Sequence, residues 1–243
     1  MRPILFISDL HLCAERPAIT QLFTRFTEEV ASGAAAVYIL GDLFEYWLGD
    51  DQLDHDPLAR NVAKQLATLA ARETRIFFMH GNRDFLIGER FAAESGVSLL
   101  LDPTTIDIDR QPALLMHGDT LCTDDRAYQE FRQMVRSPAW QAEWLAKPYA
   151  QRLELARALR SQSDVEKSMK AEAIMDVNPQ AVEAAFVTHR CSVMIHGHTH
   201  RPARHVTNTG KVTRTRWVLT DWHEDGGVLV AAASGFKAHK LTG

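Results

Sequence analysis

Five short apolar runs along the chain each end at polar residues that can bind a metal ion. The runs are Ile4–Ile7, 35–40, Arg75–Met79, 113–116 and 193–195. Their length and nearly continuous apolar character predict strands that are buried on both faces. In open α/β sheets, ligands bind at the carboxyl ends of the strands. We therefore expect the polar residues after these runs to form one site.

Segments with helical periodicity separate the first three runs. Residues 17–32 and 57–72 carry apolar side chains at helical spacing, so the order of elements predicts parallel strands joined by right-handed crossovers. Four more short strands are predicted in the C-terminal third, namely 202–207, 212–217, 227–232 and 236–241. The first two flank a turn and predict a hairpin. The chain is thus expected to be an α/β protein with a second, mostly antiparallel sheet.

Residues from about 124 to 177 interrupt this pattern. They have helical periodicity, and Pro138 and Pro148 divide them into pieces. Two interpretations are open. The segment is either an inserted helical lid or a set of ordinary helices that pack on the sheet and expose a charged face.

The composition narrows the class of protein. The 243 residues carry a net charge of −4, which argues against a general nucleic-acid binder because such proteins usually carry a basic surface. Cys13, Cys122 and Cys191 are widely spaced, so a reducing, cytosolic compartment is expected. The first apolar run is too short for a signal peptide, and no apolar stretch reaches the ~18 residues of a membrane-spanning helix.

The polar residues after the five runs form a mixed set of carboxylate, amide and imidazole ligands. The set consists of Asp9, His11, Asp42, Asn82, His117, His196 and His198. Each motif alone is common in turns, but five in order after apolar strands favour a metal site. Such ligands suit Mn²⁺ better than metals that prefer thiolates. Seven ligands can hold two ions if one carboxylate bridges them, and Asp42 is the predicted bridge.

The ordered motifs resemble those of the calcineurin-like metallophosphoesterase superfamily, D-x-H, G-D, G-N-H-[ED], H and G-H-x-H. Here they are DLH, GD, GNRD, HGD and HGHTH, over about residues 1–205. Arg83 stands where most of the superfamily has a histidine. The segments ISDLHLC, YILGDLFEYWLGDD, HGNRDFLIGERF, LMHGDTLCTDD, IMDVNP and IHGHTHRP narrow the resemblance to the UDP-2,3-diacylglucosamine pyrophosphatases of lipid A biosynthesis in Gram-negative bacteria.

The resemblance implies a fold, a reaction and a location. The fold would be an αββα sandwich of two mixed sheets flanked by helices, a single domain over 1–243 with a helical lid at about 124–177. A hydroxide that bridges two Mn²⁺ ions would attack the α-phosphorus of UDP-2,3-diacylglucosamine. The products would be UMP and 2,3-diacylglucosamine 1-phosphate (lipid X). The protein would act peripherally at the cytoplasmic face of the inner membrane, without nucleic acid or an obligate protein partner.

The resemblance also assigns metal ligands. The first ion would be held by Asp9, His11, Asp42 and His198, and the second by Asp42, Asn82, His117 and His196. His200 would lie outside this set, as a partner of a ligand. Asp84 and Asp119 would orient ligands.

Catalytic and substrate-binding roles follow from the same motifs. The catalytic group would comprise Asn82, Arg83, Asp84 and His117, with Arg83 stabilising charge because a guanidinium is a poor proton donor. Substrate contacts would come from Asn82, Arg83, Asp125, Ser163, Lys167, Lys170 and His196. Asp125 has the alternative role of a helix N-cap. Lys167 departs from the asparagine of some relatives, and Lys167 and Lys170 have the alternative of a solvated basic face.

The lid carries two tryptophans at helical spacing, Trp140 and Trp144. They are expected either to form part of the lid core or to meet a membrane. Nearby basic residues that could face anionic lipid are Arg132, Arg136, Lys147 and Arg152. Two other functions remain open, a general phosphodiesterase or nuclease and a metal-organised scaffold without turnover. A nuclease should show a basic groove, and a scaffold usually lacks some of the ligands.

Overall fold

Two mixed β-sheets form the centre of the fold. The computed structural model describes residues 2–169, 176–210 and 212–242. The strands are β1 (Ile4–Ile7), β2 (Ala36–Leu40), β3 (Arg75–Met79), β4 (Ser98–Leu100), β5 (Thr104–Ile108), β6 (Gln111–Leu115), β7 (Val193–His196), β8 (Ala203–Thr209), β9 (Val212–Val218), β10 (Gly226–Ala232) and β11 (Gly235–Leu241). The first sheet has the order β11-β10-β1-β2-β3-β4 and the second β5-β6-β7-β9-β8.

Helices cover the outer faces of the two sheets, and three of them, α5 to α7, lie in the segment at about 124–177 that was predicted to be a lid and is called the lid below. They are α1 (Pro17–Arg25), α2 (Gln52–His55), α3 (Pro57–Ala70), α4 (Glu89–Ser95), α5 (Arg126–Val135), α6 (Pro138–Leu145), α7 (Tyr149–Met169) and α8 (Pro179–Thr188). A π-helical turn, Phe26–Val30, continues α1, and a 3₁₀ turn, Asp119–Leu121, follows β6. Polar caps fix several helix starts: Asp56 accepts from the amide of Leu58 before Pro57 of α3, and Asn178 does the same for α8.

The central strands are apolar on both faces, because helices cover one face of each sheet and the other sheet covers the opposite face. On β1, Leu5 and Ile7 pack against α1 and α3, whereas Phe6 points between the sheets. On β6, Leu115 points between the sheets and Leu114 packs against α8. The layers are therefore helix, sheet, sheet and helix, which confirms the predicted αββα class.

The pairing of the strands corrects part of the sequence prediction. β1, β2 and β3 are parallel, as expected. The second sheet is mixed rather than mostly antiparallel, since β7 runs parallel to both β6 and β9. β10 leaves that sheet and pairs antiparallel with β1. The reason is its burial: Val228 packs towards the helices and Leu229 between the sheets, so β10 needs two covered faces.

Most of the described part of the segment predicted to be a lid is helical. α5, α6 and α7 follow β6, and two side chains tie them to the loop before α2. Trp144 donates from Nε1 to the carbonyl of Leu48 at 3.1 Å, and Arg152 donates to the same carbonyl and to Asp51. None of the helices in the described ranges has both the length and the apolar character that crossing a membrane requires.

Candidate metal centre

Five polar residues at the carboxyl ends of the strands have a left-handed backbone. They are Asp9 (φ 55°), His11 (φ 50°), Asp42 (φ 54°), His198 (φ 68°) and His200 (φ 53°). Residues other than glycine rarely adopt this conformation, which costs of order 1 kcal/mol each and persists where the surrounding structure imposes it. Backbone hydrogen bonds impose it here: the amide of Asp9 donates to Gly41 and that of His11 to Asp42. Such a cluster of strained residues marks a functional site.

Two glycines let the backbone approach the carboxylates of the site. A Cβ atom on Gly81 would lie 2.1 Å from Oδ1 of Asp42, and one on Gly197 would lie 2.1 Å from Oδ2 of Asp9. Both positions therefore require glycine.

Asp9, His11 and His200 form the first of two clusters, which we call the first group. Nε2 of His11 lies 3.3 Å from Nε2 of His200, and Nε2 of His200 lies 3.4 Å from Oδ1 of Asp9. The other oxygen of Asp9 accepts from Oγ of Ser8 and from the amide of His198, at 2.6 and 2.9 Å. Three donor atoms thus face one another, and the second oxygen of Asp9 is held from behind.

Asn82, His117 and His198 form the second group. Oδ1 of Asn82 lies 3.0 Å from Nε2 of His117 and 2.8 Å from Nδ1 of His198. His117 donates from Nδ1 to the carbonyl of Leu40 at 2.9 Å, which directs its Nε2 into the site.

Asp42 lies between the two groups. Its Oδ2 is 3.8 Å from Nε2 of His11, and its Oδ1 is 3.9 Å from Nε2 of His117. Oδ1 also accepts from the amide of Arg83 at 2.8 Å. One carboxylate oxygen therefore faces each group.

The prediction that His196 is a ligand is wrong. Its Nδ1 is 2.9 Å from the carbonyl oxygen of Gly197, and its Nε2 accepts from Arg216 at 3.0 Å. His196 is the last residue of β7, and its ring is fully buried with both nitrogens occupied by these contacts. His200, which the sequence analysis placed outside the ligand set, lies in the first group, where His198 was expected. His198 lies in the second group with Asn82 and His117, where His196 was expected. The motif G-H-x-H begins at Gly197 and thus already contained this signal.

The donor set fits divalent ions. Oδ1 of Asp9 is buried and has no hydrogen-bond partner of normal geometry among the described residues. Ligand atoms of Asp9, His11 and His200, and again of Asp9, Asp42 and His117, lie within 4.8 Å of one another. Carboxylate, amide and imidazole donors without a thiolate suit Mn²⁺ and similar ions.

Asp84 acts on the site from behind. Its carboxylate accepts from the amides of Gly81 at 2.9 Å and Leu43 at 2.7 Å, and so holds the loops that carry Asn82 and Asp42. Burial and the charge of Asp42 raise the pKa of Asp84 to about 7. Its predicted catalytic role is thus limited to positioning, because both oxygens face backbone amides.

Asp119 joins the site to the lid. Its Oδ2 accepts from the hydroxyl of Tyr128 and from Nε of Arg132, both at 2.7 Å. The ring of Tyr128 in turn packs against His198, with 5.8 Å between centroids. The first lid helix is thereby attached to a residue of the second group.

One cavity of 730 Å³ extends from both groups to the space beneath the lid. Arg83 and Asn82 line it beside the second group, and Nε of Arg83 is buried without a hydrogen-bond partner in the described parts of the chain. Asp125 also lines the cavity, and it caps α5 by accepting from the amide of Tyr128 at 3.1 Å. The other predicted substrate contacts, Ser163, Lys167 and Lys170, lie outside the side chains that the structure describes.

The lid tryptophans face inwards. Trp140 and Trp144 stack at 5.0 Å between centroids, and both line the cavity. Trp144 is 7% exposed, so the interpretation as lid core is correct for it.

The lid arginines, which were expected to be able to face anionic lipid, bind groups of their own chain. Arg132 pairs with Asp119, Arg136 donates to the carbonyl of Gly81 at 2.8 Å, and Arg152 pairs with Asp51. Lys147 pairs with Glu143 on the surface of α6.

Comparison with known proteins extends over nearly the whole chain. The family model of the calcineurin-like phosphoesterases matches residues 2–202. The chain is 52% identical over 225 residues to the UDP-2,3-diacylglucosamine hydrolase of Aromatoleum aromaticum, covering 93% of this chain and 91% of that protein. Proteins of the same name from Cellvibrio japonicus and Xanthomonas campestris pv. campestris are 50% identical over 231 residues and 48% identical over 244 residues. These matches cover 95% and 98% of both chains, respectively.

Proposed function

This chain belongs to the calcineurin-like phosphoesterase family, and on that premise we propose that it hydrolyses the pyrophosphate bond of UDP-2,3-diacylglucosamine. The products would be UMP and 2,3-diacylglucosamine 1-phosphate. The relatives that share about half of its residues over nearly their full length carry the name of this hydrolase. The single structural observation that carries the proposal is the cavity that begins at the candidate metal centre and continues beneath an aromatic, apolar lid.

The chemistry of the cavity suits a substrate with a charged centre and an apolar end. Near the metal centre it is lined by Asn82 and Arg83, which can bind phosphate oxygens. Under the lid it is lined by Phe85, Trp140 and Leu159. A pyrophosphate that links a nucleotide to a diacylated sugar has this distribution of polar and apolar parts.

We propose that two divalent ions, Mn²⁺ in the cell, occupy the site. Asp9, His11, Asp42 and His200 would hold the first, and Asp42, Asn82, His117 and His198 would hold the second. When bound, such ions lower the pKa of a water and neutralise charge on a phosphate.

The chain's own residues would orient the substrate and stabilise charge. Asn82 adds no negative charge, so the site stays attractive to a phosphate. The guanidinium of Arg83 would bind a phosphate oxygen and stabilise the charge that grows there, since it stays protonated throughout. No general acid is needed, because either half of a pyrophosphate leaves as a phosphate.

We also propose that the protein works at the cytoplasmic face of the inner membrane. A diacylated substrate resides in a membrane, and the lid exposes Phe131, Met134 and Leu145 by 42–50%. Replacing these three by serine is expected to abolish flotation with anionic vesicles. The matched change of Val206 and Val212, equally exposed on the β8–β9 hairpin, is expected to leave flotation unchanged. Equal loss in both variants would contradict the proposed membrane surface.

The reaction is tested by incubating the purified protein with Mn²⁺ and UDP-2,3-diacylglucosamine in ¹⁸O-labelled water. Attack at the phosphorus joined to uridine puts the label into UMP, and mass spectrometry of both products locates it. Asn82→Ala and His117→Ala are expected to abolish turnover, whereas His239→Ala, an exposed histidine on β11, serves as the control. Label in the sugar phosphate would overturn the proposed point of attack.

A panel of substrates separates this function from a general phosphodiesterase. Bis(p-nitrophenyl) phosphate and single-stranded DNA are assayed beside the UDP-sugar lipid. A higher kcat/KM for either of these than for the lipid would overturn the proposed substrate.

A further inference from the structure

Both histidines of the first group have a carboxylate behind them. Nδ1 of His200 lies 3.4 Å from Oδ2 of Asp221, and Nδ1 of His11 lies 3.4 Å from Oε2 of Glu45. In each ring the opposite nitrogen, Nε2, is the one that faces the other members of the group. Nδ1 of His11 has no hydrogen-bond partner of normal geometry among the described residues, so the carboxylates act on the rings through their charge at these distances. A carboxylate behind an imidazole ligand favours the ring orientation that directs the opposite nitrogen to the metal and raises its basicity.

Asp221 is held in place by the backbone on either side of it. The amide of Leu219 donates to the carbonyl of His196 at 2.8 Å, and the amide of Trp222 donates to the carbonyl of Asp9 at 3.0 Å. Trp222 is 1% exposed. The segment that carries Asp221 is therefore bonded to two strand ends at the site, so its backbone is held beside the first group.

In the second group, the partner behind the His117 imidazole is neutral. His117 donates from Nδ1 to a neutral carbonyl, that of Leu40, and Asn82 is itself neutral. Asp119 is close enough to influence this group, but its charge is shared with Tyr128 and Arg132. The first group thus combines a carboxylate of its own, Asp9, with a carboxylate behind each imidazole, which favours a divalent cation.

We infer that Asp221 and Glu45 are positioning residues for His200 and His11, and that they make the first group the tighter of two unequal metal sites. The inference rests on the metal ligands proposed above. Asp221 is expected to have the larger effect on its histidine, because Glu45 shares its charge with Arg160 of the lid. Loss of Asp221 should therefore weaken the tighter ion selectively.

Titration of the metal-stripped protein with Mn²⁺, followed by the EPR signal of the free ion, tests this. The wild type is expected to bind two ions with distinct affinities. Asp221→Asn is expected to lower the affinity for the tighter ion by about 10- to 100-fold, and Glu45→Gln is expected to lower it by less. Asn82→Ala is expected to lower the affinity for the other ion. Asp225→Asn is the matched control, because Asp225 lies four residues further on and pairs with Lys240 at the surface.

A double mutant distinguishes positioning from a general effect on the fold. Asp221→Asn should add nothing to the loss caused by His200→Ala, because both act on the same ligand. It should add fully to the loss caused by His117→Ala. Circular dichroism of the metal-free variants checks that both near-isosteric changes leave the fold intact.

The inference is overturned if Asp221→Asn binds both ions like the wild type, weakens both equally, or adds to His200→Ala. Binding of a single ion by the wild type would overturn it as well. None of these measurements uses a substrate, so an absence of UMP release would refute the proposed function and leave the positioning roles to the titration.

Discussion

Metal binding to the second group is expected to displace a proton from His117. Burial lowers the pKa of this imidazole, but the carboxylates of Asp42 and Asp119 outweigh burial and raise the pKa to about 9. Since Nδ1 donates to the carbonyl of Leu40, the displaced proton is the one on Nε2, which faces Asn82. The metal-free site is therefore protonated at neutral pH, and a metal ion competes with that proton.

The size of this competition follows from the pKa. A pKa of about 9 is two units above pH 7, which corresponds to about 2.7 kcal/mol, or roughly 100-fold in apparent affinity. The affinity for the second ion is thus expected to rise about tenfold per pH unit between pH 7 and 9. The same raised pKa stabilises the metal-free fold below the unfolded-state value of 6.5, and this contribution is lost as the pH rises through about 9.

Calorimetric titration with Mn²⁺ near pH 7, 7.5 and 8.5 measures the affinity for the second ion and the number of protons released on binding. Buffers with different ionisation enthalpies report the number of protons released with the second ion, and about one is expected. The exposed His239 provides the control, since His239→Ala should leave slope and proton count unchanged. An affinity for the second ion that does not change with pH, with no proton released, would refute the reasoning about His117.

Three further predictions follow from contacts of the site and the lid. Gly81→Ala is expected to lose the second metal ion and to lower kcat at least about 100-fold, because the new Cβ would lie 2.1 Å from Oδ1 of Asp42. Full metal content by mass spectrometry would contradict this. His196→Ala is expected to keep both ions, but its free energy of unfolding in urea is expected to fall by about 1–3 kcal/mol because Arg216 loses its acceptor. His200→Ala is expected to lose one ion. The reverse pattern would restore His196 as a ligand. Trp144→Phe removes the hydrogen bond to Leu48, so the free energy of unfolding is expected to fall by about 1 kcal/mol. In steady-state kinetics KM is expected to rise with kcat unchanged. A lower kcat at constant KM would place Trp144 in the reaction itself.

The strand ends were predictable because their pattern is simple. The runs before Asp9, Asp42, Asn82 and His117 are apolar on both faces, and such strands leave few alternatives. Elements with weaker patterns were missed. β4 has three residues and β5 carries polar side chains at alternate positions, so neither resembles the buried runs. α4 was missed as well, and at seven residues it is too short to show clear periodicity.

The spacing of residue types alone does not choose among the three histidines in HGHTH, whereas the family motif G-H-x-H, which begins at Gly197, selects His198 and His200. His196, His198 and His200 alternate in sequence, so any neighbouring pair could share one face. The deciding fact is that β7 ends at His196, which keeps the strand conformation and turns its ring towards Arg216. The next two histidines lie beyond the strand and adopt a left-handed backbone, which aims them at the site. A pattern of residue types does not contain this change of backbone conformation.

The lid showed the limit of helical spacing. The interval between Trp140 and Trp144 predicted that they share a face, and their stacking confirms it. What that face contacts depends on tertiary anchors, such as the bond from Trp144 to Leu48, that are about a hundred residues apart in sequence.

The stacked tryptophans also give the protein a built-in optical signal. Two indole rings held nearly parallel at 5.0 Å couple their electronic transitions, and the pair lies on the wall of the cavity. Phe85 contacts Trp140 from the side of the metal centre. Under the proposed function, an acyl chain that enters the cavity would change the surroundings of this pair, so near-ultraviolet circular dichroism and tryptophan emission would follow binding without any label. Ligand entry can thereby be timed separately from bond cleavage in a stopped-flow experiment.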